Sequence, residues 1–148
     1  MFKKITNAIL LAAVTLFATV SCEKAPVVVS DELEVNANNI SGQWELVSMN
    51  GNQILEGSSL HMEFIRNDKK FVIEDGMEGF AAAPKISTGR FDFEENDALG
   101  VILIGIYDHD NGFWNDKYIV SSLTKDTLTL TGVKSGLVQV FHRMAEDE

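Results

Sequence analysis

From residue 41 to residue 144 apolar and polar side chains alternate with a period of two, the pattern of strands with one buried and one solvated face. Eight segments carry it: 43–49, 59–65, 69–75, 86–94, 99–107, 117–123, 127–131 and 137–144. In the second, Leu60, Met62 and Phe64 share a face opposite His61 and Glu63. In the third, Phe71 and Ile73 oppose Val72 and Glu74, and in the seventh Leu128 and Leu130 alternate with threonines. The fifth, LGVILIGIY, is apolar on both faces, which predicts a central strand or one with a covered outer face.

Short runs of turn chemistry separate these segments: NGN from Asn50, NDK from Asn67, END from Glu95, DNG at 110–112, TKD from Thr124 and KSG from Lys134. No stretch sustains a helical period. One connection is longer, GMEGFAAAPK at 76–85, with room for a helical turn or a flap. Eight antiparallel strands joined by tight turns predict an all-β, up-and-down barrel, whose closure removes exposed sheet edges. Alternate connections of such a barrel share an end. The connections after the first, third, fifth and seventh strands therefore gather at the end away from the start of strand one. They include 50–58, the long 76–85 segment and 108–116, and they are the longer and more aromatic set. That rim is the expected place for a ligand or partner, with Met77, Phe80, Phe113 and Trp114 as candidate contacts. The alternative for Phe113 and Trp114 is packing into the barrel end.

The first strand opens ISGQWELVSMNG, and its Gly42-Gln43-Trp44 resembles the G-x-W that begins the first strand of lipocalins. Arg143, in VFHRM, matches the arginine that lipocalins carry near the end of the last strand. The run YIVSSLTKDTLTLTG is also similar to the small bacterial lipocalin-like lipoproteins. The resemblance spans 40–144 and implies an eight-stranded barrel closed at its floor by Gly42, Trp44 and Arg143, with the arginine stacked on the indole. It gives those residues a structural role and implies a small apolar or amphipathic ligand. The domain is shorter than an animal lipocalin and has no disulfide. A barrel of eight strands is just wide enough to be filled by side chains or to hold one small ligand. Both interiors stay open at this point: a ligand-binding barrel, or a filled one that recognises protein partners through its loops.

The chain has 148 residues, the length of one domain. Acidic residues outnumber basic ones 22 to 12, for a net charge of −10, which argues against nucleic acid or anionic headgroups as partners. The N-terminus has the parts of a secretory signal: Lys3 and Lys4, an uncharged apolar run at 8–20, then Ser21 before Cys22. The apolar run is too short to span a bilayer, which takes about 20 residues. Cys22 is the only cysteine, and Ser21-Cys22 after such a run resembles the lipobox of bacterial lipoproteins, with Thr19 where that family usually has leucine. The resemblance implies a diacylglycerol on the Cys22 thiol, cleavage before it, and acylation, palmitate included, of the new amino terminus. Several chains together anchor a protein stably where one does not. The expected layout is a signal at 1–21, a lipidated cysteine and flexible tether at 22–39, and a barrel at 40–148. Glu23 stands where inner-membrane lipoproteins carry aspartate, so the expected location is the outer membrane. The expected partners are the membrane, through the lipid on Cys22, a small hydrophobic ligand and an envelope protein.

Catalytic chemistry is harder to find. His61, His109 and His142 fall in no recognisable catalytic arrangement, and no nucleophile elbow, zinc motif or phosphate-binding glycine loop occurs. Glu94 and Glu95 are adjacent on a strand, so they point to opposite faces. The run YDHDNGFW sets Asp108, His109, Asp110 and Asn111 in one turn. It is too short for a calcium loop and lacks the downstream bidentate glutamate. Asp and Asn before Gly also suit a tight hairpin. A non-catalytic protein with no cofactor and no metal is the expectation.

Overall fold

The computed structural model describes residues 30–109 and 112–146. Nine antiparallel strands follow in chain order: β1 Gly42–Met49, β2 Asn52–Gln53, β3 Ser59–Ile65, β4 Lys70–Gly76, β5 Lys85–Asn96, β6 Gly100–Tyr107, β7 Tyr118–Leu123, β8 Thr127–Gly132 and β9 Val138–Arg143. Each long strand pairs with the next, and β1 also pairs with β9, so eight of them close an up-and-down barrel of lipocalin-like form. All eight expected segments are strands. The ninth, β2, is added by a tight hairpin at Asn50-Gly51, both with positive φ (49° and 80°), the backbone a two-residue hairpin demands. It pairs Gln53 with Ser48 and Asn52 with Met49, extending the mouth end of β1.

The inward faces follow the alternation. Trp44, Phe64, Phe71, Phe91, Leu103, Leu123, Leu128 and Phe141 are at most 2% exposed and fill the lower half of the barrel. The edge-on pair Phe64–Phe91, with centroids 5.1 Å apart, is the aromatic geometry that packs densely. The doubly apolar β6 has Leu103 fully buried inside, Ile102 5% exposed on the outer face, and Ile106 41% exposed further along. Its outer face is therefore covered only in part.

Ahead of the barrel the chain departs from the expected tether, since the compact unit begins at Asp31 rather than near Ile40. The Leu33 amide donates to the Leu123 carbonyl at 2.7 Å. The Glu32 carboxylate accepts from the Ser122 hydroxyl at 2.6 Å and from the Leu123 amide at 3.0 Å. A single helical turn, α1 (Ala37–Ile40), is capped by the Asn36 side chain accepting from the Asn39 amide. Ile40 is fully buried, and Val35 and Ala37 pack against the core. The polar run NANN reads as tether because a four-residue helix leaves no periodic signal. It is the cap that makes those asparagines structural. Cys22 and the expected signal at 1–21 lie outside the described residues. Among the described residues no helix is long and apolar enough to cross a membrane.

The floor forms where α1 meets the strand ends. The Arg143 guanidinium lies 4.1 Å from the centroid of the Trp44 ring. It also donates to the carbonyls of Ser41, Asn39 (2.9 Å) and Lys125 (2.6 Å). Trp44 Nε1 donates to the Ile40 carbonyl at 2.8 Å, and Arg66 donates to Asn38 Oδ1 at 2.8 Å. Gly42, with φ of 125°, has no side chain because a Cβ there would fall 2.6 Å from the Arg143 guanidinium. One arginine thus ties together the α1 segment, the β7–β8 turn and the indole.

Candidate functional site

The mouth, opposite this floor, collects the connections after β1, β4, β6 and β8. The β6–β7 connection does most to shape it. Along β7 only Tyr118 and Ile119 pair with β6, at Leu103 and Ile102. Toward the mouth β6 instead pairs with its own following loop. The Trp114 amide donates to the Gly105 carbonyl at 2.9 Å, the Tyr107 amide to the Gly112 carbonyl at 2.8 Å, and Phe113 bridges to Ile106. Successive residues of an extended segment point to opposite faces. Phe113 therefore turns out, 65% exposed, and Trp114 turns in, 8% exposed.

Gly105 makes room for that indole. A Cβ on Gly105 would lie 2.0 Å from the Trp114 ring, so the glycine is a socket in the barrel wall. At Gly89 a Cβ would lie 2.0 Å from the Ile106 carbonyl and 2.6 Å from the Phe71 ring, so both the neighbouring strand and that ring need the glycine. Trp114 then packs on Phe71 at 5.0 Å and edge-on to Tyr118 at 5.9 Å between centroids, while Phe71 meets Tyr107 at 5.9 Å.

Above this aromatic layer the barrel is hollow. A cavity of about 270 Å³ is lined by Leu46, Met49, Leu60, Met62, Ile73, Met77, Trp114 and Leu130, with Asp75, Tyr107, Asn115, Tyr118 and Gln139 supplying polar atoms. Ligand sites commonly occupy about 300–1,000 Å³, so this one suits a single small molecule. The two interiors left open by the sequence are both present: packed side chains below and a cavity above.

Polar atoms make up about half of the lining. Trp114 Nε1 is buried and has no hydrogen-bond partner among the described residues. Gln139 is 8% exposed, a polar side chain on the inward face of β9. Asp75 Oδ1 accepts from the Met77 amide at 3.0 Å. Burial, and then the Asp75 charge, raise the Tyr107 pKa. Burial, followed by Asp116 and Tyr107, raises that of Tyr118. Both phenols stay neutral at physiological pH and can donate as well as accept. Asp116 stands outside the lining and fastens the rim. Burial pulls its carboxyl upward, but the amides of Lys134, Ser135 and Lys117 that donate to it outweigh this and leave its pKa lowered.

The four expected rim residues divide. Met77 and Trp114 line the cavity. Phe80 and Phe113 stand outside it, 87% and 65% exposed. The Phe80 ring lies against Gly57, where a Cβ would be 2.1 Å from it, and the Ser58 hydroxyl donates to the Met77 carbonyl at 3.3 Å. These contacts join the β4–β5 connection to the one before β3. Trp114 is thus a wall of the barrel and not an exposed rim aromatic.

Asp75, Tyr107 and Gln139 are lining residues that the sequence does not single out. Each extends an inward alternation to the mouth end of its strand: Phe71, Ile73, Asp75 on β4, and Leu103, Gly105, Tyr107 on β6. A polar residue at such an inward, mouth-end position is the signal that finds them. Of the turn at 108–111, Thr88 Oγ1 donates to Asp108 Oδ2 at 2.8 Å and His109 packs on Tyr107 at 5.3 Å between centroids. Asp110 and Asn111 lie outside the described residues. Among the described residues no group of three or more His, Cys, Asp or Glu side chains is placed to hold a metal.

The chain matches no protein-family model, no curated protein and no solved structure.

Proposed function

We propose that this protein is a lipoprotein of the bacterial cell envelope, held in the outer membrane through Cys22, whose barrel binds one small apolar or amphipathic molecule without catalysis. The observation that carries the reading is the hollow upper half of the barrel. Its lining joins aliphatic, thioether and aromatic side chains to polar atoms of Asp75, Tyr107, Asn115, Tyr118 and Gln139. Apolar walls with convergent polar groups are the makeup of a small-molecule site, here one suited to an amphipathic molecule. The G-x-W and terminal-arginine resemblance to lipocalins, and the lipobox resemblance at Cys22, support the same reading.

The test is a titration with N-phenyl-1-naphthylamine, a neutral apolar fluorophore, on the full chain carrying Cys22→Ala. Saturable binding at one site is expected, and it should survive Phe80→Ser and Phe113→Ser because those rings lie outside the cavity. No saturable binding to the folded protein would overturn the reading. For the anchor, mass spectrometry of the mature protein should find an acylated Cys22 as its first residue. An unmodified chain beginning elsewhere would refute it.

A second reading, a protein-interaction module of the envelope, is favoured by the exposure of Phe80 and Phe113 on one rim. It expects capture of an envelope protein that Phe80→Ser and Phe113→Ser together abolish.

A further inference from the structure

We infer that the mouth cavity selects a protonated amine carried on an apolar body, with the Asp75 carboxylate as the partner of the ammonium. This rests on the reading of the cavity as a ligand site and names the class of ligand. Three observations carry it.

The first is charge. Among the described residues Asp75 is the only charged one in the cavity lining, with no lysine, arginine or histidine beside it there. An anionic ligand would meet this carboxylate inside a chain of net charge −10. The second is the state of that carboxylate. Among the described residues its only hydrogen bond is the one Oδ1 accepts from the Met77 amide. Lys85 sits across the β4–β5 ladder from it and shares a neighbouring surface pocket with it, but lies outside this cavity's lining, and among the described residues the two form no ion pair. Asp75 ends the inward row Phe71, Ile73, Asp75, so it stands at the entrance with apolar side chains below it. The third is the wall. Trp114, Tyr107 and Tyr118 present ring systems to the same space, and aromatic faces attract organic cations. The Asp75 charge is already felt there, since after burial it is what raises the Tyr107 pKa. A carboxylate at the entrance, aromatic rings around it and the aliphatic side chains of Leu46, Leu60 and Leu130 fit an ammonium head and a hydrocarbon tail.

The experiment uses three compounds with one body and different heads: 4-phenylbutylamine, 4-phenylbutanol and 4-phenylbutyrate. Each is titrated by calorimetry into the full chain carrying Cys22→Ala, and into the same chain with Asp75→Asn. Asparagine keeps an acceptor for the Met77 amide, and alcohol binding reports that the site is intact. The expected result is an amine that binds about tenfold tighter than the alcohol, as an ion pair near the surface with aromatic support allows. The carboxylate should be weakest. In Asp75→Asn the amine should fall to the level of the alcohol, with alcohol binding unchanged. Alcohol binding without an amine preference, or an amine preference that survives Asp75→Asn, overturns the inference and leaves the ligand site standing. Failure of all three compounds to bind overturns the ligand-site reading and this inference with it.

Discussion

Gly105 leaves a gap in the wall of β6, and the Trp114 indole occupies it, so one missing side chain decides where the cavity begins. Gly105→Ala would put a methyl where the ring lies and should cost about 1–3 kcal/mol through overpacking. A shift of tryptophan emission toward longer wavelength and loss of apolar-probe binding would report ejection of the ring. At the floor the balance is different. Trp44 is fully buried under the Arg143 guanidinium, and Trp44→Ala should cost about 3–5 kcal/mol as a large core truncation. Arg143→Ala removes the donor to three carbonyls as well as the cation over the ring, and a loss of about 2–4 kcal/mol is expected in urea unfolding. These two positions were legible in the sequence because G-x-W and a terminal arginine are local patterns. Gly105 and Asp75 were not, since a glycine that seats a ring and an aspartate that faces a cavity become distinct only once the strands are in register.

Among the elements, the strands were legible and the segment before them was not. Alternation identifies eight strands because each has one face in the core; in β1 and β7 a register shift changes its phase, from Leu46 to Met49 and from Val120 to Leu123, without hiding the strand. The segment from Asp31 to Ile40 has no such period. Its fixed points are single contacts, a carboxylate on a strand end and a capped helical turn. Glu32 gives that attachment a pH dependence. The Ser122 hydroxyl, and then the Leu123 amide, hold the Glu32 carboxyl below its ordinary range. A lowered pKa in the folded state means that the contribution is complete above the unfolded value. It is lost as the pH falls through the folded value, in the region below about pH 4. Protection of the Leu123 amide, relative to its intrinsic exchange rate at each pH, should therefore fall on acidification through this range while the centre of β8 stays protected. Glu32→Gln should make the Leu123 amide exchange faster at neutral pH as well. Equal protection of the Leu123 amide at pH 3 and pH 7 would contradict this role for Glu32.

For the molecule as a whole, the two ends of the barrel divide the work. The floor is closed by an arginine, an indole and a helical turn, all buried or tied to backbone. The mouth leaves about 270 Å³ open above a layer of aromatic rings. Sequence asymmetry between the turn sets indicated which end would be open, because the longer, more aromatic connections fall together. It did not indicate how deep the opening goes, which depends on Gly89 and Gly105 letting Phe71 and Trp114 form a platform partway up. The central claim, that this space receives the ligand, is most directly tested by filling it. Leu60 lies on the inward face of β3 and lines the cavity, so Leu60→Trp should occupy the space without disturbing the floor. With 4-phenylbutanol as the probe, and the full chain carrying Cys22→Ala, calorimetry should find binding to the parent protein weakened more than about tenfold by Leu60→Trp. The melting temperature should not fall, because burying the added ring compensates for the change. Equal binding by both proteins would put the ligand elsewhere and contradict the account.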